Sequence, residues 1–165
     1  MSRSKEGADD EPQNIWFKRP TPQVLNDIHQ GCAIAHLGIR VTEVGDDYIA
    51  ATMPVDSRTT QPYGLLHGGA TVLLVETLGS AASYACIDVD KHFAVGIEVN
   101  ANHISSARSG YVKGVAKPIH IGFLTHIWEV RVYHEDKLIC VSRLTVSVGQ
   151  RRQERKVTGL LPKNY

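Results

Sequence analysis

A histidine followed by two glycines, with a carboxylate nine residues further on, carries the clearest chemistry in this chain. Residues 61–69 read Gln-Pro-Tyr-Gly-Leu-Leu-His-Gly-Gly, and the apolar run that follows contains Glu76. If a helix begins at Gly68, the N–H of Gly68 has no partner inside that helix and lies at its partially positive end. A carbonyl oxygen held there would be polarised and stabilised as an oxyanion. Gln61 and His67 could add contacts to the carbonyl group or to an attacking water.

Glu76 is the only carboxylate in the run 68–86, which is otherwise rich in Ala, Val and Leu. Burying an unpaired carboxylate is costly, so we expect this one to be paired or used. Ser80 and Ser83 are spaced four and seven residues further on, which places them on the same helical face. The carboxylate could act as a nucleophile or as a general base toward water, and the residues alone leave both roles open. The plainer alternatives are a solvent-exposed Glu76 and a His67 that only caps the helix or lies in the core.

One long helix and a set of strands must position these groups. The run 68–86 is too long for a strand and apolar on most faces, which predicts a buried helix. Thr21 followed by Pro22 predicts the start of a short helix that ends near Gly31. Alternating polarity and turn residues predict six strands, at 38–44, 48–55, 93–104, 111–118, 125–133 and 137–148.

This order of elements predicts an α+β fold in which an antiparallel sheet of about six strands wraps around one long central helix. A sheet of this size covers only one side of the helix. A second copy would extend the sheet, so we expect at least a homodimer.

Composition and charge narrow the class of protein. The 165 residues suit one domain, and 42% apolar with 21% charged residues is ordinary for a soluble globular protein. The net charge of +1 favours neither a nucleic acid nor a membrane as a partner, and no apolar run is long enough to span a bilayer. The first residues lack the apolar segment of a secretory signal. Cys32, Cys86 and Cys140 are odd in number and far apart, which predicts reduced thiols and a cytoplasmic location.

No motif predicts a metal or a cofactor. The histidines show neither HxH nor HExxH spacing, and neither a dinucleotide-binding nor a P-loop glycine pattern occurs. We therefore expect chemistry that uses side chains and backbone groups alone.

Several separated motifs resemble the acyl-CoA thioesterases of the hotdog fold, and within them the bacterial branch that acts on aroyl-CoA thioesters. The motifs lie, in this order, at 61–71, 76–80, 95–103, 117–122 and 140–145. The resemblance spans residues from about 20 to 149 and implies a hotdog fold, in agreement with the order of elements. We therefore divide the chain into a flexible N-terminal tail (1–19), a hotdog thioesterase domain (20–149) and a basic C-terminal tail (150–165).

The resemblance implies hydrolysis of an acyl-CoA thioester, with an aromatic or medium-sized acyl group, to free acid and CoA. It makes Glu76 the nucleophile or general base and the Gly68 N–H the group that polarises the carbonyl, with Gln61 and His67 orienting carbonyl and water. It assigns substrate binding to Ser80, His103, Ser105, Ser106, His120, Ile121 and Gly122. It also implies a homo-oligomer, a dimer or a tetramer, with Glu76 facing the 61–68 segment of another subunit.

Two other functions remain open at this point. Hotdog hydratases and dehydratases that act on acyl carriers also pair a histidine with a helix carboxylate, although their usual strand signature is not found here. A non-catalytic module that binds acyl-CoA is the second alternative, and the intact set of Gln61, His67, Gly68 and Glu76 argues against it.

Overall fold

The computed structural model describes residues 14–151, so the parts of the predicted tails at 1–13 and 152–165 lie outside the described residues. Within this range the elements are α1 (Pro22–Ile28), α2 (Ala33–His36), β1 (Arg40–Val44), β2 (Ile49–Pro54), α3 (Gly68–Ala85), β3 (His92–His103), β4 (Tyr111–Ile121), β5 (Thr125–His134) and β6 (Lys137–Gln150).

The six strands form one antiparallel sheet in the order β1-β2-β4-β5-β6-β3. After α3 the chain crosses the sheet, so that β3 pairs with β6 and becomes the edge opposite β1. The long helix α3 packs against β2, β3, β4, β5 and β6. The predicted α+β arrangement of six strands around one long helix is confirmed.

Buried apolar side chains and a close contact at a glycine hold α3 against the sheet. Leu74, Val75 and Leu78 are fully buried, and burial of each such side chain stabilises the fold by about 1.5–3 kcal/mol. A Cβ atom at Gly79 would lie 2.5 Å from a methyl group of Leu144 on β6, so the glycine lets helix and strand meet. Although α3 is mainly apolar, neither it nor any other helix within residues 14–151 is long and apolar enough to cross a membrane.

The extent of β4 and the presence of α2 differ from the prediction. β4 continues to Ile121 instead of ending at Pro118, because a β-bulge between Pro118 and His120 accommodates the proline. The sequence did not predict α2, since four residues are too few to show a helical period.

Residues 14–19, which the sequence assigned to the flexible tail, are packed on the domain instead. Trp16 is only 6% exposed, and its indole N–H donates a hydrogen bond of 2.8 Å to the carbonyl of Gly45. Its ring stacks on that of Trp128, with centroids 6.5 Å apart. The backbone N–H of Phe17 donates to the carbonyl of Ala85 at the end of α3. Trp16 therefore covers one end of the hydrophobic core.

Ser83 does not join the polar face predicted for Glu76 and Ser80. It is buried, and its hydroxyl accepts a hydrogen bond of 2.7 Å from the indole N–H of Trp128 on β5. Ser83 thus provides a hydrogen-bond acceptor for the indole N–H of Trp128. This N–H is the polar group of the largest fully buried side chain among the described residues.

Replacing Ser83 with alanine should destabilise the protein by about 1–3 kcal/mol, because the Trp128 N–H would be left buried without an acceptor. Urea unfolding at one fixed protein concentration measures the effect. The exposed Ser109 provides the control, and Ser109→Ala should unfold at the wild-type midpoint. Equal midpoints for the two variants would contradict the role given to Ser83.

Candidate active site

The N-terminus of α3 presents a free backbone donor. His67 is the N-cap, and its ring Nδ1 accepts a hydrogen bond of 2.8 Å from the N–H of Gly69. Because Nδ1 is the acceptor, the ring proton of neutral His67 lies on Nε2. The N–H of Gly68 has no hydrogen-bond partner among residues 14–151, as expected for the first residue of a helix. An acceptor placed here would meet an unsatisfied donor and the positive end of the helix dipole.

Hydrogen bonds hold the preceding turn in place. The N–H of His67 donates to the carbonyl of Thr59, and that of Leu66 donates to the carbonyl of Ala107. Gly64 has a φ of +71°, which the turn requires and which favours glycine. The side-chain oxygen of Gln61 accepts from the N–H of Tyr63 at 3.1 Å, so its amide NH2 remains available as a donor.

The last residue of β3 lies beside this donor. A Cβ atom at Gly68 would be 3.0 Å from Nε2 of His103, so the absence of a side chain at Gly68 leaves room for the ring. A cavity of about 210 Å³ joins the two. It is lined by the predicted residues Gln61, Gly68, His103, Ser105 and Ser106, together with Leu65, Leu66, Thr71, Ala107 and Ile139.

Glu76 lies in a second cavity, of about 410 Å³ and mainly apolar. The Ser80 hydroxyl donates to Oε1 of the half-buried Glu76 at 3.3 Å. On its other side the carboxylate lies against the backbone of β3, where a Cβ atom at Gly96 would be 2.1 Å from Oε1. The remaining lining residues are Leu25, Ile28, His29, Ile34, Leu73, Thr77, Ala81 and Tyr84.

The two cavities lie apart from each other within one subunit. Gly68 and Glu76 are eight residues apart on one helix, which separates them by about 12 Å along its axis. A carbonyl group that accepts a hydrogen bond from Gly68 is therefore out of reach of Glu76 in the same chain. The structure brings Gln61, Gly68 and His103 together, and it places Glu76 and Ser80 elsewhere.

The predicted residues His120, Ile121 and Gly122 lie in neither cavity. His120 and Ile121 end β4 and Gly122 follows it. The ring of His120 covers Gly122, where a Cβ atom would be 2.4 Å from Nε2. The following Phe123 contacts His92 edge to face at the start of β3. His103 stands at the other end of that strand, roughly 35 Å away by the rise of an extended chain. Within one subunit this turn is remote from Gly68.

Two residues near Glu76 were not predicted. Gly96 gives the carboxylate its place against β3, and a glycine inside a strand is a signal for such close approach. His29, at the end of α1, lines the Glu76 cavity. No periodicity or motif marks it, because its relation to Glu76 arises only when α1 packs beside α3.

Other titratable groups are structural. His126 is buried against the edge of the Trp128 ring, and burial lowers its pKa, partly offset by a hydrogen bond to the Gly122 backbone. Burial raises the pKa of the Cys86 thiol to about 12 and also raises that of Cys140, so neither is a nucleophile at neutral pH. Within residues 14–151 no group of three or more His, Cys, Asp or Glu side chains is arranged to hold a metal ion.

Comparison with known proteins confirms the resemblance seen in the motifs. The family model described as Thioesterase superfamily matches residues 63–141. The chain is 47% identical over 135 residues to the 1,4-dihydroxy-2-naphthoyl-CoA hydrolase of Escherichia coli, an alignment that covers 81% of this chain and 98% of that protein. It is 45% identical over 135 residues to the proofreading thioesterase EntH of Cronobacter turicensis, with coverage of 81% and 98%.

A solved structure shares the same architecture. A mutant of the thioesterase PA1618 from Pseudomonas aeruginosa superimposes with a TM-score of 0.82 at 46% identity, covering 83% of this chain and 99% of that one.

Replacing His67 with alanine should lower the free energy of unfolding by about 1 kcal/mol, because the Gly69 N–H would lose its capping acceptor. His67→Asn should recover most of this loss, since asparagine is a strong N-cap. Urea unfolding of both variants measures the difference. If His67→Asn were as unstable as His67→Ala, the capping role of His67 would be wrong.

Proposed function

The chain belongs to the thioesterase superfamily and is a thioester hydrolase with the hotdog fold, and we propose that it cleaves acyl-CoA thioesters in sites shared by two subunits. The observation that carries this proposal is the separation of the free Gly68 N–H from the Glu76 carboxylate along one rigid helix. Each subunit offers half of what thioester hydrolysis requires.

The exposed edge of the sheet supplies the pairing surface. β3 is a 12-residue edge strand on which Val95 is 49% and Ile97 is 62% exposed. A long apolar edge of this kind pairs readily with another strand. Two copies of β3 in antiparallel pairing about a twofold axis extend the sheet across both subunits.

The contacts of β3 favour one register for this pairing. Gly96 contacts Glu76, and His103 contacts Gly68. A β-bulge between Gly96 and Glu98 keeps Gly96 and His103 on the helix side of the strand although they are seven residues apart. Pairing Gly96 with His103 of the partner subunit therefore brings each carboxylate beside the free N–H of the other chain, since paired residues lie about 5 Å apart.

In such a site the thioester carbonyl oxygen accepts a hydrogen bond from the Gly68 N–H. The donor stabilises the negative charge that develops on this oxygen, a contribution of about 3 kcal/mol to the barrier. Glu76 from the neighbouring subunit either takes a proton from the attacking water or attacks the carbonyl carbon itself. In the first route water adds to the carbonyl carbon, the carbon–sulfur bond breaks, and the proton held by Glu76 passes to the thiolate of CoA as the acid leaves. In the second route the carbon–sulfur bond breaks to leave an anhydride between the acyl group and Glu76, the thiolate takes up a proton from solvent, and a water molecule then hydrolyses the anhydride to the acid and the free Glu76 carboxylate. The Gln61 amide and the Nε2–H of His67 are donors suited to orienting the carbonyl and the water.

The same register brings the 120–122 turn of one subunit close to the segment that contains Ser105 and Ser106 in the other. The start of β3, beside the 120–122 turn, comes to lie near the end of the partner's β3, where Ser105 and Ser106 follow. We assign the pantetheine and nucleotide of CoA to this junction. The mainly apolar cavity at Glu76 and Ser80 receives the acyl group, and the name of the relative that acts on 1,4-dihydroxy-2-naphthoyl-CoA supports an aromatic one. Three separated cysteines support a reducing compartment such as the cytoplasm.

Gly68→Pro should lower kcat about 100-fold relative to Gly68→Ala, because proline removes the N–H and alanine keeps it. Proline is tolerated at the first helical position, and His67, with φ of −73° and ψ of 132°, already has the conformation that proline requires of its predecessor. Release of free thiol from benzoyl-CoA measures the rates. Both variants add a Cβ atom toward His103, so similar rates for the two would exclude the Gly68 N–H as the essential donor.

Glu76→Gln and Gly68→Pro homodimers should each be nearly inactive, but mixing the two chains should restore activity. Half of the dimers in a random mixture are mixed, and each mixed dimer has one site with both native groups. We therefore expect about a quarter of the wild-type rate of thiol release. The matched control is a mixture of Glu76→Gln with Glu76→Ala chains, which should stay inactive because both defects fall in the same half-site. A mixture of complementary defects that stays inactive would contradict the shared site.

A further inference from the structure

The Glu76 cavity lies between two helix faces and the start of α2. Leu73, Glu76, Thr77, Ser80, Ala81 and Tyr84 form a continuous face of α3, and Leu25, Ile28 and His29 form the facing side of α1. Its volume of about 410 Å³ is in the range of small-molecule sites. Glu76, which acts at the reacting carbonyl in the proposed mechanism, is on the α3 side of the cavity. A group on the opposite, α1 side would therefore contact the acyl chain rather than the carbonyl.

His29 brings a polar group to this α1 side without a partner in the protein. Its Nδ1 is buried and accepts or donates no hydrogen bond among residues 14–151. A ring proton on Nδ1 would be an orphaned buried donor, so neutral His29 carries its proton on Nε2. Burial lowers the pKa of His29, which favours the neutral form of the ring.

We propose that His29 is a specificity-determining residue whose Nε2–H donates a hydrogen bond to an oxygen substituent on the acyl group, so that hydroxylated aroyl thioesters are preferred over unsubstituted ones. This inference rests on the proposed hydrolysis of acyl-CoA thioesters. The hydroxyls of Ser80 and Thr77 in the same cavity already donate to Glu76 and to the carbonyl of Leu73. The ring of His29 is an uncommitted donor in a mainly apolar cavity, and such a donor discriminates against a ligand that leaves it unpaired.

The test compares kcat/KM for benzoyl-CoA with the values for 3-hydroxybenzoyl-CoA and 4-hydroxybenzoyl-CoA. Wild-type enzyme should favour at least one hydroxylated ester by about three- to tenfold, the effect of one neutral hydrogen bond. His29→Phe keeps a planar ring without a donor and should reduce this preference to about one. His29→Gln retains an N–H donor and should recover part of the preference. His36→Phe is the matched control, because His36 is exposed on α2 and lies outside this cavity.

The outcomes separate the two proposals. A wild-type enzyme that hydrolyses all three esters at similar efficiency, or a His29→Phe variant that keeps the wild-type preference, would overturn the role of His29 and leave acyl-CoA hydrolysis standing. Loss of the preference in His36→Phe as well would also overturn it. Failure of the wild-type enzyme to release thiol from any of the esters would contradict the proposed function and, with it, this inference. If His29→Phe does not fold, the wild-type preference and His29→Gln still decide the question.

Discussion

The close approach of α3 to the sheet is the constraint on which the rest of this structure depends. Glycine occupies positions where the helix and the strands meet. A Cβ atom at Gly79 would lie 2.5 Å from Leu144, and one at Gly114 would lie 2.7 Å from Leu78. The same closeness places Glu76 against the backbone of β3 at Gly96. Because protein interiors are close-packed, the helix cannot shift to suit its polar groups. The fold therefore fixes the positions of the helix terminus and of the carboxylate together.

This rigidity explains why one chain contains two half-sites. A helix advances about 1.5 Å per residue, so its free N-terminal donor and a carboxylate eight residues later can never meet at one carbonyl group. The edge strand β3 touches both half-sites, at Gly96 and at His103, and its outer edge is open. The proposed dimerisation along that edge would resolve the separation without moving the helix. In this view the assembly is a requirement of the chemistry rather than an addition to it.

Most of the fold could be predicted from local patterns. The apolar run at 68–86 predicted α3 to within one residue of its observed end, because length and composition alone exclude a strand. The differences arose where distant contacts decide local structure. Trp16 is held by Gly45 and Trp128, which no pattern in the polar N-terminal segment reveals. Ser83 shares a helical face with Glu76 by spacing, yet the indole N–H of Trp128 draws it into the core.

For the candidate site, the sequence by itself determined which groups are available and which of them share a helix. His67, Gly68 and Glu76 could be singled out because a helix start and a lone carboxylate are local features. Only the tertiary structure decided that Gln61 and His103 flank the Gly68 donor, that Glu76 needs Gly96, and that His29 faces the same cavity as Glu76. Apart from Gln61, which precedes Gly68 by seven positions, these relations join residues that are 20 to 47 positions apart in the chain. They depend on how α1, α3 and β3 pack against one another, and packing is a property of surfaces in contact that residue spacing does not encode.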